Sequence, residues 1–154
     1  MLPVNAMSQL RLFFLLFMLI FTSACTPEKH TNTSLIIQDD TLCQFKLGVC
    51  VKNVASVELA LLITPFDSPS EKPLTVSLTS SKEIEDLKVR IEGRDMFMGV
   101  IPVNLSKVGE NIYKGSLMYG SCSSSYMVWR VFVSFTLQGE KKVVLYDFLA
   151  DNNI

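Results

Sequence analysis

The longest run of strict alternation in this sequence extends from Met127 to Leu137. Every second residue in it is apolar: Met127, Trp129, Val131, Val133, Phe135 and Leu137. Side chains two residues apart lie on the same face of a β-strand, so this run predicts a long strand with one buried face. Shorter alternations at 74–79 and 87–92 predict two further strands of the same kind.

Further strand-like segments follow one another along the chain, with turn residues between them. They cover 35–37, 54–64, 100–105, 112–119 and 142–149. The segment 80–86 is different, because Ser81 placed ahead of Glu83 predicts a helical turn. About seven to nine short strands at spacings of about 8–12 residues indicate an all-β, immunoglobulin-like β-sandwich.

The first 24 residues have the layout of a secretory signal peptide. Arg11 is their only charged residue, an apolar run at 12–21 follows it, and residues 22–24 are small. This order of charged, apolar and small-residue regions is typical of a cleaved leader. With Leu10 included, the apolar run is about a dozen residues long, whereas a membrane-spanning helix needs about 20. Residues 1–24 are therefore excluded from the fold.

The junction between Ala24 and Cys25 resembles the lipobox of bacterial lipoproteins, in which small residues directly precede a cysteine. The resemblance implies that Cys25 is acylated and becomes the mature N-terminus, and simple cleavage after Ala24 is the alternative. Thr26 follows where an Asp would imply retention at the inner membrane. We therefore expect a lipidated cysteine and flexible tether at 25–33 and a sandwich domain at 34–154. The protein is then anchored in the bacterial outer membrane and faces the periplasm.

Three cysteines remain for the domain once Cys25 is assigned to the anchor. Disulfides form in oxidising compartments such as the periplasm. Cys43 and Cys50 flank a short turn and are favoured as a pair, which leaves Cys122 over. Pairing of Cys122 with either of them stays open, because spacing does not determine connectivity.

Charge and histidine content exclude several classes of function. The sequence has 14 basic and 15 acidic side chains. Removal of Arg11 with the leader makes the net charge −2, and no basic stripe suited to nucleic acid is present. His30 is the only histidine and lies in the tether, so histidine-dependent nucleophilic pairs and zinc sites lack their essential residue. We expect no enzymatic activity and no nucleic-acid partner.

Sulfur side chains are concentrated in the second half of the domain. Met96 and Met98 are two residues apart, so in a strand they share a face with about 7 Å between them. Cys122 and Met127 follow just before the longest strand pattern. Thioether and thiolate ligands select Cu(I) over harder metal ions, so these four residues form a candidate copper site. The alternative is that they pack in the core, where methionine fills irregular gaps.

A longer pattern runs through the same region. It consists of Gly93-x-Asp95-Met96-x-Met98-Gly99, then Gly109, Tyr113 and Gly115, then Cys122 and Met127-x-Trp129. Over residues 54–149 this pattern resembles the FixH/YtkA-like group of bacterial envelope domains. The resemblance implies a small immunoglobulin-like sandwich linked to copper handling or cytochrome oxidase assembly. It implies a metal role for Met96, Met98 and Met127, and a less direct one for the cysteine. The chain differs from many members in its lipoprotein anchor and in having no histidine in the domain.

Two functions are compatible with these features. The first is a lipoprotein that binds or transfers Cu(I) and serves a copper protein such as a terminal oxidase. The second is an adaptor without metal that docks another envelope protein through an exposed sheet edge or an apolar patch. A redox-active Cys122 has less support, because no histidine or Cys-x-x-Cys motif accompanies it to activate the thiol.

Overall fold

The computed structural model describes residues 39–122 and 127–151. This part of the chain forms nine β-strands, preceded by a 3-10 helical turn at Phe45–Leu47. The strands are β1 (Cys50–Val54), β2 (Val57–Thr64), β3 (Leu74–Ser80), β4 (Glu85–Gly93), β5 (Val100–Val103), β6 (Ser106–Gly109), β7 (Ile112–Leu117), β8 (Val128–Leu137) and β9 (Glu140–Leu149). Among the described residues, no helix has the length and apolar character needed to cross a membrane.

The nine strands form two antiparallel sheets. The first sheet has the strand order β1-β2-β3-β7-β6, and the second has the order β5-β4-β8-β9. β3 pairs with β7 although β4 and β5, which lie between them in sequence, belong to the second sheet. The chain therefore crosses from one sheet to the other and back. This arrangement confirms the predicted all-β sandwich, with a strand number at the upper end of the predicted range.

Alternating burial along the central strands produces the core between the sheets. β2 and β3 bury every second side chain from the first sheet, and β8 does so from the second. The predicted inner face of β8 is confirmed by the burial of Trp129, Val131, Val133 and Phe135. Full burial of an apolar side chain of this kind contributes about 1.5–3 kcal/mol. A slip of one residue would turn these side chains to solvent, so their positions determine the register of β8.

The connection between β3 and β4 contains no helix, so the predicted helical turn at 80–86 is wrong. Ile84 is buried in the core, and Glu85 already pairs with β8. Ser81 makes two hydrogen bonds with Glu58, one from its backbone N to the Glu58 O and one from the Glu58 N to its Oγ, each 2.9 Å long. The serine fastens this connection to β2 instead of capping a helix.

A disulfide joins Cys43 to Cys50, with the two sulfurs 2.07 Å apart, which confirms the pairing favoured by spacing. Phe45 lies in the loop that the disulfide closes. Its side chain is buried, with the ring centre 5.8 Å from that of Phe148. The Cys43 N donates to the Asp147 O in β9 at 2.7 Å. The first described residues therefore lie alongside the last strand of the sandwich.

Several predictions fall on residues that the structure does not describe. They concern the leader at 1–24, acylation of Cys25, the tether at 25–33, and a strand at 35–37. These remain expectations from sequence.

Candidate sulfur site

One end of the sandwich gathers connections from both sheets. We call it the sulfur end and define it by the segments 39–42, 65–73, 94–99, 118–122 and 150–151. In the first sheet, Leu74 at the start of β3 lies opposite Leu117 at the end of β7. In the second sheet, Gly93 at the end of β4 lies opposite Trp129 near the start of β8. The connections next to these residues therefore leave each sheet at one and the same end.

Tyr119 fastens the segment after β7 to the connection between β2 and β3. Its hydroxyl donates to the Ser68 O at 2.6 Å, and its carbonyl accepts from the Glu71 N at 2.8 Å. The Asp151 N adds a third hydrogen bond, to the same Ser68 O at 3.0 Å. Segments from three places in the sequence are therefore tied together at the sulfur end.

The ring of Tyr119 packs against aromatic residues of the core. The Tyr119 ring lies 4.8 Å from the Trp129 ring and 5.9 Å from the Phe148 ring. Burial raises the pKa of the Tyr119 hydroxyl above its ordinary value, which keeps this hydroxyl protonated as a hydrogen-bond donor. The segment that leads to Cys122 is thus anchored on the core.

Two glycines shape the connection between β4 and β5. A Cβ atom at Gly93 would lie 2.2 Å from the Met96 carbonyl O and 3.4 Å from the Met98 Cγ, so the chain folds back over a position that has no side chain. Gly99 has φ 83°, a left-handed conformation that glycine adopts without strain. Met96 and Met98 lie in this connection and not in a strand. The shared face that a strand would give these two methionines therefore does not occur.

The turn places Met96 against Cys122. The Cys122 Sγ lies 3.5 Å from the Met96 Sδ, although the two residues are 26 positions apart, and the thiol donates toward the thioether. Met96 is 46% exposed, and Cys122 is half-buried and keeps its thiol. Two of the four sulfur residues identified from the sequence therefore form a pair that solvent can reach.

The other two sulfur residues are placed more deeply. Met98 is half-buried and packs against the core. Met127 is 8% exposed and belongs to the core just ahead of β8, where its carbonyl accepts from the Ala150 N at 2.9 Å. The packing interpretation thus describes Met127, whereas the geometry of Met96 and Cys122 suits ligands.

The separation of the paired sulfurs fits two ligands of one soft ion. A metal–thiolate bond is about 2.3 Å long, so two sulfurs bound to one ion lie no more than about 4.6 Å apart. A thioether together with a thiolate is a donor set that favours Cu(I). Within residues 39–122 and 127–151, no group of three or more His, Cys, Asp or Glu side chains is arranged to hold a metal ion.

A charged network begins directly before Met96 in the chain. The Arg94 guanidinium donates to Asp39 at 2.8 Å and to Asp95 at 3.0 Å. Hydrogen bonds from Thr41 and Arg94 lower the pKa of Asp39 to about 2. The Asp39 carboxylate is therefore ionised at neutral pH and holds the start of the described chain against the β4–β5 connection.

Asp147 extends this network into the second sheet. It accepts two hydrogen bonds from Arg130, at 2.7 and 2.8 Å, and lies 3.7 Å from Arg94. Sequence reasoning missed the pairing of Arg94 with Asp39, because 55 residues separate them. The ion pair between Arg130 and Asp147 was easier to predict from the sequence. Each of these residues is a single charged residue between apolar residues of a strand pattern.

A concave surface lies at the opposite end of the second sheet, on its outer face. This cleft has a volume of about 370 Å³ and is lined by Asp86, Lys88, Ser134, Phe135, Thr136, Lys141, Lys142 and Val143. Its charged lining consists of three lysines and Asp86, and Lys142 is paired with Glu140 at 2.6 Å. The sulfur residues lie at the other end, so the cleft is separate from the candidate site.

Comparison with known proteins shows no family for this chain. No family model matches the sequence, and no curated protein matches it. Among solved structures, the chain is similar to the crystal structure of a DUF4785 family protein from Legionella pneumophila, with a TM-score of 0.46 and 15% sequence identity. The match covers 61% of this chain and 28% of that one, so the chain spans little more than a quarter of that protein's length.

Proposed function

We propose that this chain is a bacterial envelope lipoprotein that binds Cu(I) at the sulfur end and passes it to a copper protein. The observation that carries the proposal is the 3.5 Å approach of the Cys122 Sγ to the Met96 Sδ at a surface that solvent reaches. The leader, the acylation motif at Cys25 and the resemblance to FixH/YtkA-like domains support a periplasmic location on the outer membrane.

Each sulfur residue has its own part in this proposal. Cys122 supplies a thiolate charge and Met96 a thioether, both accessible from solvent. Met98 is the third ligand, because it lies in the same connection and its three rotatable bonds let the thioether change position. Met127 supports the site from the core. Transfer to another protein then needs only exchange of soft sulfur ligands, without a catalytic group.

The two kinds of ligand differ in their response to pH. A thiol must lose its proton to bind a metal, whereas a thioether has no proton to lose. Cu(I) affinity therefore rises with pH in the wild-type chain, and this dependence disappears in the Cys122→Ser variant. Loss of the pH dependence together with reduced affinity would identify Cys122 as a ligand.

The direct test is Cu(I) affinity, measured by competition with a chromophoric chelator under reducing conditions. The full chain, purified in a neutral detergent, is compared with Met96→Leu and Cys122→Ser. Met118→Leu is the matched control, because Met118 is an exposed methionine in the same segment as Cys122. We expect one-to-one binding that weakens at least about tenfold in the two site variants, since each loses a soft ligand. Absence of wild-type binding, or an equal loss in the control, would overturn the proposal.

A second candidate is the adaptor without metal. Val143 and Leu145 are exposed on β9, and Val100 is exposed on β5, each strand being at a sheet edge. Edge strands with exposed apolar side chains can pair with a strand of another protein. A wild-type chain that binds no Cu(I), together with an envelope cross-link that is lost on Val143→Lys, would favour this function.

A further inference from the structure

Large apolar side chains are exposed in the segments that form the sulfur end. Phe97, directly after Met96, is 84% exposed, Met118 is 60% exposed and Phe66 is 48% exposed. These side chains come from three different connections that meet at the sulfur end. A concentration of exposed apolar groups beside a candidate ligand pair indicates a surface that is covered by a partner.

The same end has an excess of carboxylates. Its charged residues are Asp39, Asp40, Asp67, Glu71, Asp95 and Asp151 on the acidic side, and Lys72 and Arg94 on the basic side. Arg94 is already paired with two of these carboxylates, at 2.8 and 3.0 Å. The exposed apolar side chains thus share the sulfur end with a net excess of carboxylates, which we call its acidic rim.

Charge is distributed differently at the far end of the second sheet. There Lys88, Lys141 and Lys142 line the cleft on the outer face together with Asp86, and Lys142 is paired with Glu140 at 2.6 Å. The far end therefore balances basic with acidic side chains, whereas the net excess of carboxylates at the sulfur end attracts a basic partner before contact. The acidic end is the one that bears Cys122 and Met96.

We propose that the sulfur end is a docking face for a protein that presents lysine or arginine side chains around an apolar patch. This inference rests on the proposed function, because the partner is the donor or acceptor of the ion held by Cys122 and Met96. Opposite charges raise the rate of encounter by about 10- to 1,000-fold at low ionic strength. Phe97 serves as the aromatic anchor, because aromatic side chains including phenylalanine are enriched in protein interfaces.

Other occupants fit this surface less well. An anionic lipid surface repels a rim with excess carboxylates. A second copy docked through the same face would bring two acidic rims together, which disfavours the contact. A basic partner is complementary to both the charge of the rim and the apolar side chains inside it.

The test uses two acceptor peptides as probes. Each has the same Met-x-x-Met centre, flanked in one peptide by lysines and in the other by glutamates. Cu(I)-loaded full chain in neutral detergent is mixed with each peptide in a stopped-flow instrument. We expect transfer to the lysine peptide to be at least about tenfold faster at low salt, and the difference to shrink at about 0.5 M salt. Equal rates, or faster transfer to the glutamate peptide, would overturn the proposal.

Substitution of the anchor tests the apolar part of the surface. Phe97→Ser should slow transfer to the lysine peptide about three- to tenfold, because it removes the aromatic contact, while chelator-measured affinity stays unchanged. Val143→Ser is the control, since Val143 is also exposed but lies on β9 away from the sulfur end. Equal slowing by both variants would contradict a docking role for Phe97.

Metal-free binding separates this inference from the proposed function. Fluorescence anisotropy of the labelled peptides is measured with the full chain in the absence of copper. A chain that binds no Cu(I) but still prefers the lysine peptide would overturn the copper function and retain the docking face. Absence of any preference, with Cu(I) binding intact, would overturn the docking face alone. Self-association or adhesion to anionic vesicles that Phe97→Ser abolishes would assign the surface to another occupant and also overturn it.

Discussion

The guanidinium of Arg94 and the carboxylate of Asp39 meet at 2.8 Å across 55 residues of sequence. Hydrogen bonds from Thr41 and Arg94 lower the pKa of Asp39 from 3.8 to about 2. Because this pKa is lower in the folded chain than in the unfolded chain, the interaction stabilises the fold above pH 3.8. The stabilisation is lost as the pH falls toward about 2.

Asp39→Asn should therefore flatten the loss of stability on acidification between pH 4 and pH 2. Urea unfolding of the full chain in detergent, repeated at steps of pH, measures this slope. Asp40→Asn is the control, because it removes a neighbouring carboxylate outside the pair with Arg94 and should keep the wild-type slope. Parallel slopes for wild type and Asp39→Asn would contradict the prediction.

The ion pairs on the outer face of the second sheet should differ in strength. Arg130 makes two hydrogen bonds to Asp147, whose side chain is 11% exposed, whereas Arg90 meets Glu92 at 2.7 Å in a more open position. Arg130→Gln should destabilise the chain by about 1.5–3 kcal/mol, because a buried carboxylate loses its charged donor. Arg90→Gln should change stability by less than about 1 kcal/mol. Equal free energies of unfolding for the two variants would contradict this ranking.

Reduction of the disulfide should lower stability without dismantling the sheets. The bridge between Cys43 and Cys50 spans a sequence separation of 7. Closing a loop of that size restricts the unfolded chain, which adds about 2.5 kcal/mol to the free energy of unfolding. Thiol reductant should therefore lower the urea midpoint of wild type and leave a Cys43→Ser/Cys50→Ser variant unchanged. A wild-type midpoint that does not respond to complete reduction would contradict the prediction.

Gly93 should be intolerant of any side chain. A Cβ atom there would lie 2.2 Å from the Met96 carbonyl, so Gly93→Ala forces the β4–β5 connection away and separates Met96 from Cys122. We expect a loss of about 1–3 kcal/mol in stability and a lower Cu(I) affinity. Gly120→Ala is the control, because nothing lies within 4 Å of the added atom. Similar effects of the two substitutions would show that this contact is not the cause.

Most strands could be predicted because they depend on local alternation, whereas β1 and β6 were not predicted, since neither strand contains a buried residue. Trp129 and Val133 fall on the buried face of β8 since period-two burial is a property of neighbouring residues in one segment. The disulfide between Cys43 and Cys50 could be predicted for a similar reason. A short loop keeps the two cysteines close in space, independently of the rest of the fold. Local spacing failed at Ser81, where hydrogen bonds to a distant strand replaced the helical turn.

The site could be predicted only in part, because its geometry depends on where separate connections meet. The sequence indicated Met96 and Cys122 as soft ligands, but their 3.5 Å approach follows from the fold-back over Gly93 and the anchoring of Tyr119. Met98 and Met96 differ in burial because their segment is a turn and not a strand. The hydrophobic periodicity of a single segment does not show which separate connections meet in the folded chain.

The hydrogen bond from the Cys43 N to the Asp147 O has a consequence for the order of assembly. A growing chain emerges with its N-terminal part first, so Cys43 must wait for β9, the last of the described strands, before it can take its native place. The Arg94 network includes Asp147 as well, so the surroundings of the sulfur pair are completed only when synthesis has passed that residue. The order of synthesis therefore places completion of the sulfur end after β9 has been made.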